Sequence, residues 1–220
     1  MGKTAIILGA TGLTGDLLLK NLLNNHLYSK VIAFTRSELS VSHEKLQVET
    51  VDLLELSRHR AAFKGDVVFC CIGSTKAKTP DESVYKSIDY GIPIAAANLC
   101  KEHNIETFIV VSALGANANS KFFYNRVKGE MERDVLKLNI KNTYILQPSL
   151  IDGPRNEFRL FEWLWQHVMR IANLLLIGKF EKYRSIKAET IAKAMMILDL
   201  KGYKKHTIES DVIKKLVRNA

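Results

Sequence analysis

The chain has 220 residues, which is enough to bury a full core and short enough that a single domain is expected. Hydrophobic residues make up 47% and charged residues 25%, a composition that excludes a disordered or fibrous chain. The formal net charge is +9, but the lysines are scattered and no zinc-finger or RNP-type motif accompanies them. Nucleic-acid binding is therefore not expected.

The three cysteines and six histidines show no repeated or metal-ligand spacing, which argues against a disulfide framework and against a bound metal. No apolar run is long enough to cross a bilayer, and the N-terminal residues do not resemble a signal peptide. These absences predict a protein without a membrane span, cytoplasmic by default, and either a monomer or a homodimer.

Short apolar segments alternate with amphipathic segments over the first two thirds of the chain. The spacing predicts strands at 3–8, 31–34, 46–51, 66–70, 108–111 and 143–146, and helices at 13–24, 85–103 and 122–138. Strands that are apolar on both faces and separated by helices indicate a parallel sheet covered on both sides. Right-handed crossovers then give a doubly wound α/β sheet, the Rossmann fold.

This alternation ends after Pro148 in the sequence pattern. Residues 157–173, which include Trp163 and Trp165, have the pattern of an amphipathic helix, and further helices are predicted at 188–200 and 213–217. We therefore expect one domain over residues 1–220, in which residues 149–220 form a small, mainly helical extension that covers the substrate side.

A glycine-rich turn follows the first predicted strand and opens the first predicted helix. The spacing is G-x-x-G-x-x-G, in the context that a dinucleotide-binding turn needs. Gly9 permits a tight turn, Gly12 lets the backbone approach a pyrophosphate, and Gly15 lets the helix pack closely on the strand. The helix N-terminus attracts phosphate through its free N–H groups. The predicted contacts here are Gly9, Thr11, Gly12, Leu13 and Gly15.

The end of the second strand discriminates between NAD and NADP. An acidic residue there would bind the ribose hydroxyl of NAD, whereas this sequence has Arg36, whose planar guanidinium suits a phosphate. Ser37 adds a hydroxyl, so NADP is favoured over NAD. After the third strand, Asp52 either accepts a hydrogen bond from the adenine amino group or caps the helix that follows, and the sequence leaves both open.

Three further residues form a candidate catalytic set. Ser112 ends the fifth strand, and Tyr124 and Lys128 lie four positions apart on one face of the next helix. Hydride transfer to a carbonyl leaves an alkoxide that a tyrosine hydroxyl can protonate, and a nearby ammonium group lowers the pKa of such a tyrosine. A serine hydroxyl can orient the substrate oxygen.

The glycine turn, Ser112 and the run Y-N-R-V-K-G-E-M-E at 124–132 resemble the atypical short-chain dehydrogenases/reductases, in the subgroup that includes the Tat-interactive oxidoreductase. The resemblance implies an NADP(H)-binding Rossmann fold in which Gly73 lies beside the cofactor, Lys128 holds the nicotinamide ribose, and Pro148 and Ser149 lie near the nicotinamide. Gln147 departs from the pattern, because many relatives carry arginine there. Glu130 and Glu132 match it, but a helix surface explains them as well.

These observations predict an NADP(H)-dependent oxidoreductase that interconverts a carbonyl and an alcohol on a small molecule. An NADP(H)-sensing regulator that acts through protein partners is an alternative, because the subgroup contains such members. A sugar-nucleotide epimerase would use the same three residues. It is disfavoured because only about seventy residues follow Pro148, whereas such enzymes usually carry a larger C-terminal substrate domain.

Overall fold

The computed structural model describes residues 2–75, 77–152 and 178–220. Nine strands occur in these residues: β1 (Lys3–Leu8), β2 (Tyr28–Thr35), β3 (Leu46–Thr50), β4 (Val67–Cys70), β5 (Thr107–Val111), β6 (Asn142–Gln147), β7 (Ile151–Asp152), β8 (Ile186–Lys187) and β9 (Thr207–Glu209). Seven of them form one parallel sheet in the order β3-β2-β1-β4-β5-β6-β9, and β7 pairs with β8 separately.

Helices cover both faces of this sheet. The α-helices are α1 (Leu13–Leu23), α2 (Glu82–Lys86), α3 (Ile92–Glu102), α4 (Phe123–Lys137), α5 (Ala188–Lys201) and α6 (Ser210–Arg218). Shorter helical segments are the 3-10 helices Leu53–Ala62 and Gly178–Tyr183 and the π-helical turn Ser87–Gly91. None of the helices described is both long and apolar enough to span a membrane.

Alternate residues of each strand contribute to two separate cores, which explains why the strands are apolar throughout. In β1, Ala5 and Ile7 belong to the cluster that includes residues of α1 and α5. Ile6 and Leu8 belong to the cluster that includes residues of α3 and α4. These four residues of β1 are fully buried. The predicted doubly wound α/β sheet is thus confirmed.

The helix predicted at 85–103 is present as a continuous helical run, in which the π-helical turn Ser87–Gly91 joins α2 to α3. One expectation about the elements is wrong. The alternation of strand and helix does not end after Pro148, because β9 pairs with β6 as a seventh strand of the main sheet. β9 has three residues, of which Ile208 alone is buried, so no apolar run marks it. The amphipathic helix predicted at 157–173 lies outside the described residues.

The order of the strands reverses between β1 and β4, which are neighbours in the sheet. After β1 the chain continues to β2 on one side, and after β4 it continues to β5 on the other side. The carboxyl ends of β1 and β4 therefore open a crevice between them. The glycine turn follows β1, and residues 71–75 follow β4. Both segments therefore meet at the edge where such sheets bind ligands.

Candidate active site

A cleft of about 750 Å³ opens at the carboxyl ends of β1, β4, β5 and β6. Eight of the residues predicted from the sequence line it: Gly12, Leu13, Gly73, Ser112, Tyr124, Lys128, Pro148 and Ser149. Leu150, Ile151, Lys182, Tyr183 and Glu209 line it from the C-terminal part of the chain. The structure therefore brings the glycine turn and the candidate catalytic set to one cleft.

The glycine turn has the geometry that its sequence predicts. Gly9 adopts a φ of +83°, and a Cβ there would lie 2.9 Å from the carbonyl of Cys71. A Cβ on Gly15 would lie 2.0 Å from the carbonyl oxygen of Gly9, so α1 can approach the turn only without a side chain at this position. Gly12 is the N-cap of α1 and has no side chain to cap it. The first N–H groups of α1 are therefore available to an anion.

Replacing Gly15 with alanine is expected to displace α1 from the turn, because the clash is with backbone and cannot be relieved by a side-chain rotation. The expected loss in the free energy of unfolding is about 1–3 kcal/mol, together with weakened nucleotide binding. Urea unfolding and NADPH fluorescence measure the two effects. Gly91→Ala is the matched control, since a Cβ there meets nothing within 4 Å. Equal stability of the two variants would contradict this account of the turn.

Six of the predicted nucleotide contacts lie outside the lining of the cleft: Gly9, Thr11, Gly15, Arg36, Ser37 and Asp52. Arg36 and Ser37 are exposed in the turn that follows β2, where the Thr35 hydroxyl donates to the Ser37 carbonyl at 2.9 Å. Thr11 is exposed at the tip of the glycine turn. The Asp52 carboxylate accepts a hydrogen bond from the Leu54 N–H at 2.9 Å. Asp52 therefore caps the 3-10 helix that follows, and its adenine contact stays a prediction.

Lys128 forms a buried ion pair that the sequence analysis did not predict. Its Nζ lies 2.9 Å from Asp89 Oδ1, and the two side chains are 3% and 0% exposed. The other oxygen of Asp89 accepts a hydrogen bond from the Ser74 N–H at 2.8 Å. Burial is the largest single effect and lowers the pKa of Lys128, but the opposing effects of the Asp89 carboxylate, of Tyr124 and of Cys70 together outweigh it and raise that pKa. Lys128 is therefore charged at neutral pH.

Tyr124 projects from the same face of α4 as Lys128, and both line the cleft. Its side chain is 41% exposed. The ring of Tyr85 packs edge-on against it, with 6.1 Å between the ring centroids. Tyr124 also contributes electrostatically to the raised pKa of Lys128. The predicted proximity of this tyrosine and this lysine is thus present in the structure.

Ser112 is buried at the end of β5 and contacts a second buried carboxyl group. Its Oγ is hydrogen-bonded to Glu132 Oε1. Gln147 Nε2 donates to both oxygens of Glu132, at 3.0 and 2.9 Å. Interpreting Glu132 as part of a helix surface is wrong, because this side chain is buried between α4, β5 and β6. Burial raises the pKa of Glu132, against the opposing effects of the Ser112 and Gln147 hydrogen bonds and the Lys128 charge.

The loop between Ser112 and the start of α4 lies directly on that helix. Asn117 N–H donates to the Asn125 carbonyl at 2.9 Å. A Cβ on Gly129 would lie 2.1 Å from the carbonyl carbon of Asn117 and from the backbone nitrogen of Ala118. Gly129 thereby allows the close approach that brings the Ser112 end of the loop beside Tyr124 and Lys128.

A family model described as NAD(P)H-binding matches residues 9–162 of the chain. The chain belongs to this NAD(P)H-binding family. This membership agrees with the position of the glycine turn at the edge of the sheet.

Relatives and a solved structure extend this comparison. Protein HTATIP2 of Rattus norvegicus is 36% identical over 166 residues, 74% of this chain and 68% of the relative. Protein FMP52, mitochondrial, of Candida albicans is 33% identical over 159 residues, 70% of this chain and 69% of the relative. The ADP-L-glycero-D-manno-heptose-6-epimerase of Helicobacter pylori has the same fold, with a TM-score of 0.70 and 16% identity over 99% of this chain and 82% of that chain. The predicted resemblance is confirmed.

Proposed function

We propose that this NAD(P)H-binding protein is an NADP(H)-dependent oxidoreductase that interconverts a carbonyl and an alcohol on a small molecule. The observation that carries the proposal is the shared cleft, because Ser112, Tyr124 and Lys128 line it together with the N-terminus of α1. A nucleotide held at α1 and a substrate at Tyr124 would then meet in one cleft. This arrangement supports chemistry between the two, beyond nucleotide binding alone.

The residues present fit a dinucleotide. Side chains at Gly9 and Gly15 would collide with backbone, and the uncapped start of α1 offers N–H groups to the pyrophosphate. The nicotinamide, when bound, supplies or accepts the hydride. In the proposed arrangement Gly73 and Pro148 border the nicotinamide end of the cleft. Lys128 holds the ribose next to it.

The protein's own groups handle the proton and the substrate oxygen. In the direction of reduction, the Tyr124 hydroxyl donates its proton to the oxygen that becomes the alcohol. The Asp89 carboxylate keeps Lys128 charged, and Lys128 stabilises the phenolate that Tyr124 becomes when it gives up its proton. Ser112 hydrogen-bonds the substrate oxygen and fixes its distance from Tyr124. In the direction of alcohol oxidation the same groups act in reverse.

The preference for NADP is proposed to depend on Arg36. This side chain is exposed at the end of β2, the position from which a residue reaches the 2′ group of the adenosine ribose. Arg36→Ala is expected to weaken NADPH binding about tenfold to a hundredfold, because charge-assisted hydrogen bonds to the phosphate are lost. NADH binding should change little. Fluorescence titration of both nucleotides, with Arg58→Ala as the control, measures this, and an equal loss for NADPH and NADH would contradict the assignment.

The proposed oxidoreductase activity is tested by following NADPH consumption with a panel of aldehydes and ketones. We expect turnover of at least one carbonyl class. Tight NADPH binding without turnover of any member of the panel would contradict the oxidoreductase and favour the regulatory alternative. In that case partner binding would depend on the glycine turn and be indifferent to Tyr124.

The domain organisation, the oligomeric state and the cellular location are proposals as well. We propose that residues 1–220 form one domain in which residues 149–220 cover the substrate side, since Leu150, Ile151, Lys182, Tyr183 and Glu209 line the cleft. A monomer or homodimer is expected by light scattering. Cytoplasmic localisation stays a prediction, to be checked by cell fractionation because several relatives are named mitochondrial.

A further inference from the structure

The buried contact between Ser112 and Glu132 limits what Ser112 can do for a substrate. A serine hydroxyl carries a single hydrogen and can donate only one strong hydrogen bond. Ser112 is 5% exposed, lines the cleft, and is hydrogen-bonded to Oε1 of Glu132, which does not line the cleft. The location of one proton in this pair therefore decides whether Ser112 can donate into the cleft.

When Glu132 is ionised it can only accept hydrogen bonds. The hydrogen of Ser112 then points at Glu132, and Ser112 offers only lone pairs to a substrate oxygen. When Glu132 is protonated, it donates to Ser112 Oγ, and the hydrogen of Ser112 is released towards the cleft. A carbonyl oxygen, and still more an oxygen that is becoming an alkoxide, needs such a donor.

Gln147 holds Glu132 in the orientation that this requires. Its amide nitrogen donates to both carboxyl oxygens, at 3.0 and 2.9 Å, so the carboxyl plane is fixed in either protonation state. Gln147 is neutral and does not tie Glu132 to an ionised form as a cationic partner would. Both side chains are buried, at 8% and 9% exposure, which shields the network from water.

We propose that Glu132 is a positioning residue that, in its protonated form, donates to Ser112 and directs the Ser112 hydroxyl hydrogen onto the substrate oxygen. This inference rests on the proposed function, because it assigns Ser112 to the substrate oxygen. It predicts that carbonyl reduction falls as pH rises through the ionisation of Glu132.

The charged groups near Glu132 lie on α4 and on the elements that pack against it. On α4 itself the charge of Lys128 favours the ionised form of Glu132, but Lys128 also forms an ion pair with Asp89 of the π-helical turn. On the neighbouring helical elements, Lys86 pairs with Glu130, Arg60 pairs with Glu102, and Lys101 Nζ donates to the Asn139 carbonyl. β5, which Ser112 directly follows, and β6, which ends at Gln147, carry no charged side chain. Burial prevails over Lys128 and raises the pKa of Glu132.

The kinetic test compares Glu132→Gln with Glu132→Ala. The glutamine amide can donate to Ser112 at every pH and can accept from Gln147, whereas alanine can do neither. With NADPH and para-nitrobenzaldehyde as the probe, kcat/KM of the wild-type protein should fall about tenfold per pH unit above the Glu132 pKa. Glu132→Gln should lack this decline, and Glu132→Ala should be about tenfold less active than Glu132→Gln at low pH. The same decline in Glu132→Gln as in the wild-type protein would overturn the proposal.

A second measurement separates failure of this inference from failure of the proposed function, because it needs no turnover. In protein labelled at the glutamate carboxyl carbons, NMR should show one resonance that titrates above the usual value of about 4.3 and is absent in Glu132→Gln. Ser112→Ala should raise the pKa of that carboxyl further, since the Ser112 hydrogen bond lowers it. Such a result without carbonyl turnover would refute the oxidoreductase and leave the Ser112–Glu132 coupling established. Titration of Glu132 at its usual value, or no response to Ser112→Ala, would overturn the inference itself.

Discussion

Tyr124→Phe is expected to lower kcat/KM for carbonyl reduction by about 10²–10⁴-fold while nucleotide binding is retained. The hydroxyl of Tyr124 is the one proposed to protonate the substrate oxygen, and the ring that packs edge-on against Tyr85 is retained in the variant. The variant should therefore fold normally and bind NADPH normally. Steady-state rates and NADPH fluorescence measured on the same preparation separate the two properties.

Tyr90→Phe is the matched control for this experiment. Its hydroxyl donates to Asp134 at 3.1 Å and does not line the cleft, so removing it should leave turnover within about twofold of the wild-type value. A Tyr124→Phe variant that keeps more than about a tenth of the wild-type kcat/KM would contradict the role of Tyr124 as the proton donor.

The second large effect concerns stability. Asp89→Ala is expected to lower the free energy of unfolding by about 3–5 kcal/mol, because it leaves the buried ammonium group of Lys128 without its counter-charge. The Ser74 N–H also loses its acceptor. Urea unfolding measures the loss, and Asp89→Ala combined with Lys128→Met should recover part of it, since the unpaired charge is then removed.

An exposed ion pair provides the contrast for Asp89. Asp16 and Lys20 pair at 2.8 Å on the surface of α1, and both side chains are about half exposed. Asp16→Ala should therefore cost no more than about 0.5 kcal/mol. Because the pKa of Lys128 is raised in the folded protein, the stabilisation from the Lys128–Asp89 pair is complete below a pH of about 10.4. It is lost only as the pH rises through the raised pKa of Lys128. A cost for Asp89→Ala as small as that for Asp16→Ala would contradict the buried pair.

Much of the fold follows from patterns that are local in sequence. The apolar run 3–8 and the glycine turn after it predict β1, α1 and the sharp connection between them, because side-chain size and backbone freedom act over a few residues. β9 could not be predicted in this way. Its three residues are held in the sheet by pairing with β6, more than fifty positions away in the chain, and carry no apolar run of their own.

The candidate site shows the same division between local and long-range information. Tyr124 and Lys128 share a helix face, so their proximity follows from the spacing of four residues. Glu132 continues this row by four more residues, and that spacing was the available signal for its burial beside Ser112. No comparable signal marked Asp89, which meets Lys128 only because the π-helical turn packs against α4.

The most direct test of the oxidoreductase follows the hydride itself. NADPH in which both hydrogens at the reactive carbon of the nicotinamide are replaced by deuterium is incubated with the protein and para-nitrobenzaldehyde, so that the transferred hydride is labelled whichever face reacts. The alcohol product is analysed by mass spectrometry. We predict one deuterium at the carbinol carbon in the wild-type reaction, and almost none with Tyr124→Phe over the same time. Alcohol without deuterium, or no alcohol from any carbonyl of the panel, would contradict the account.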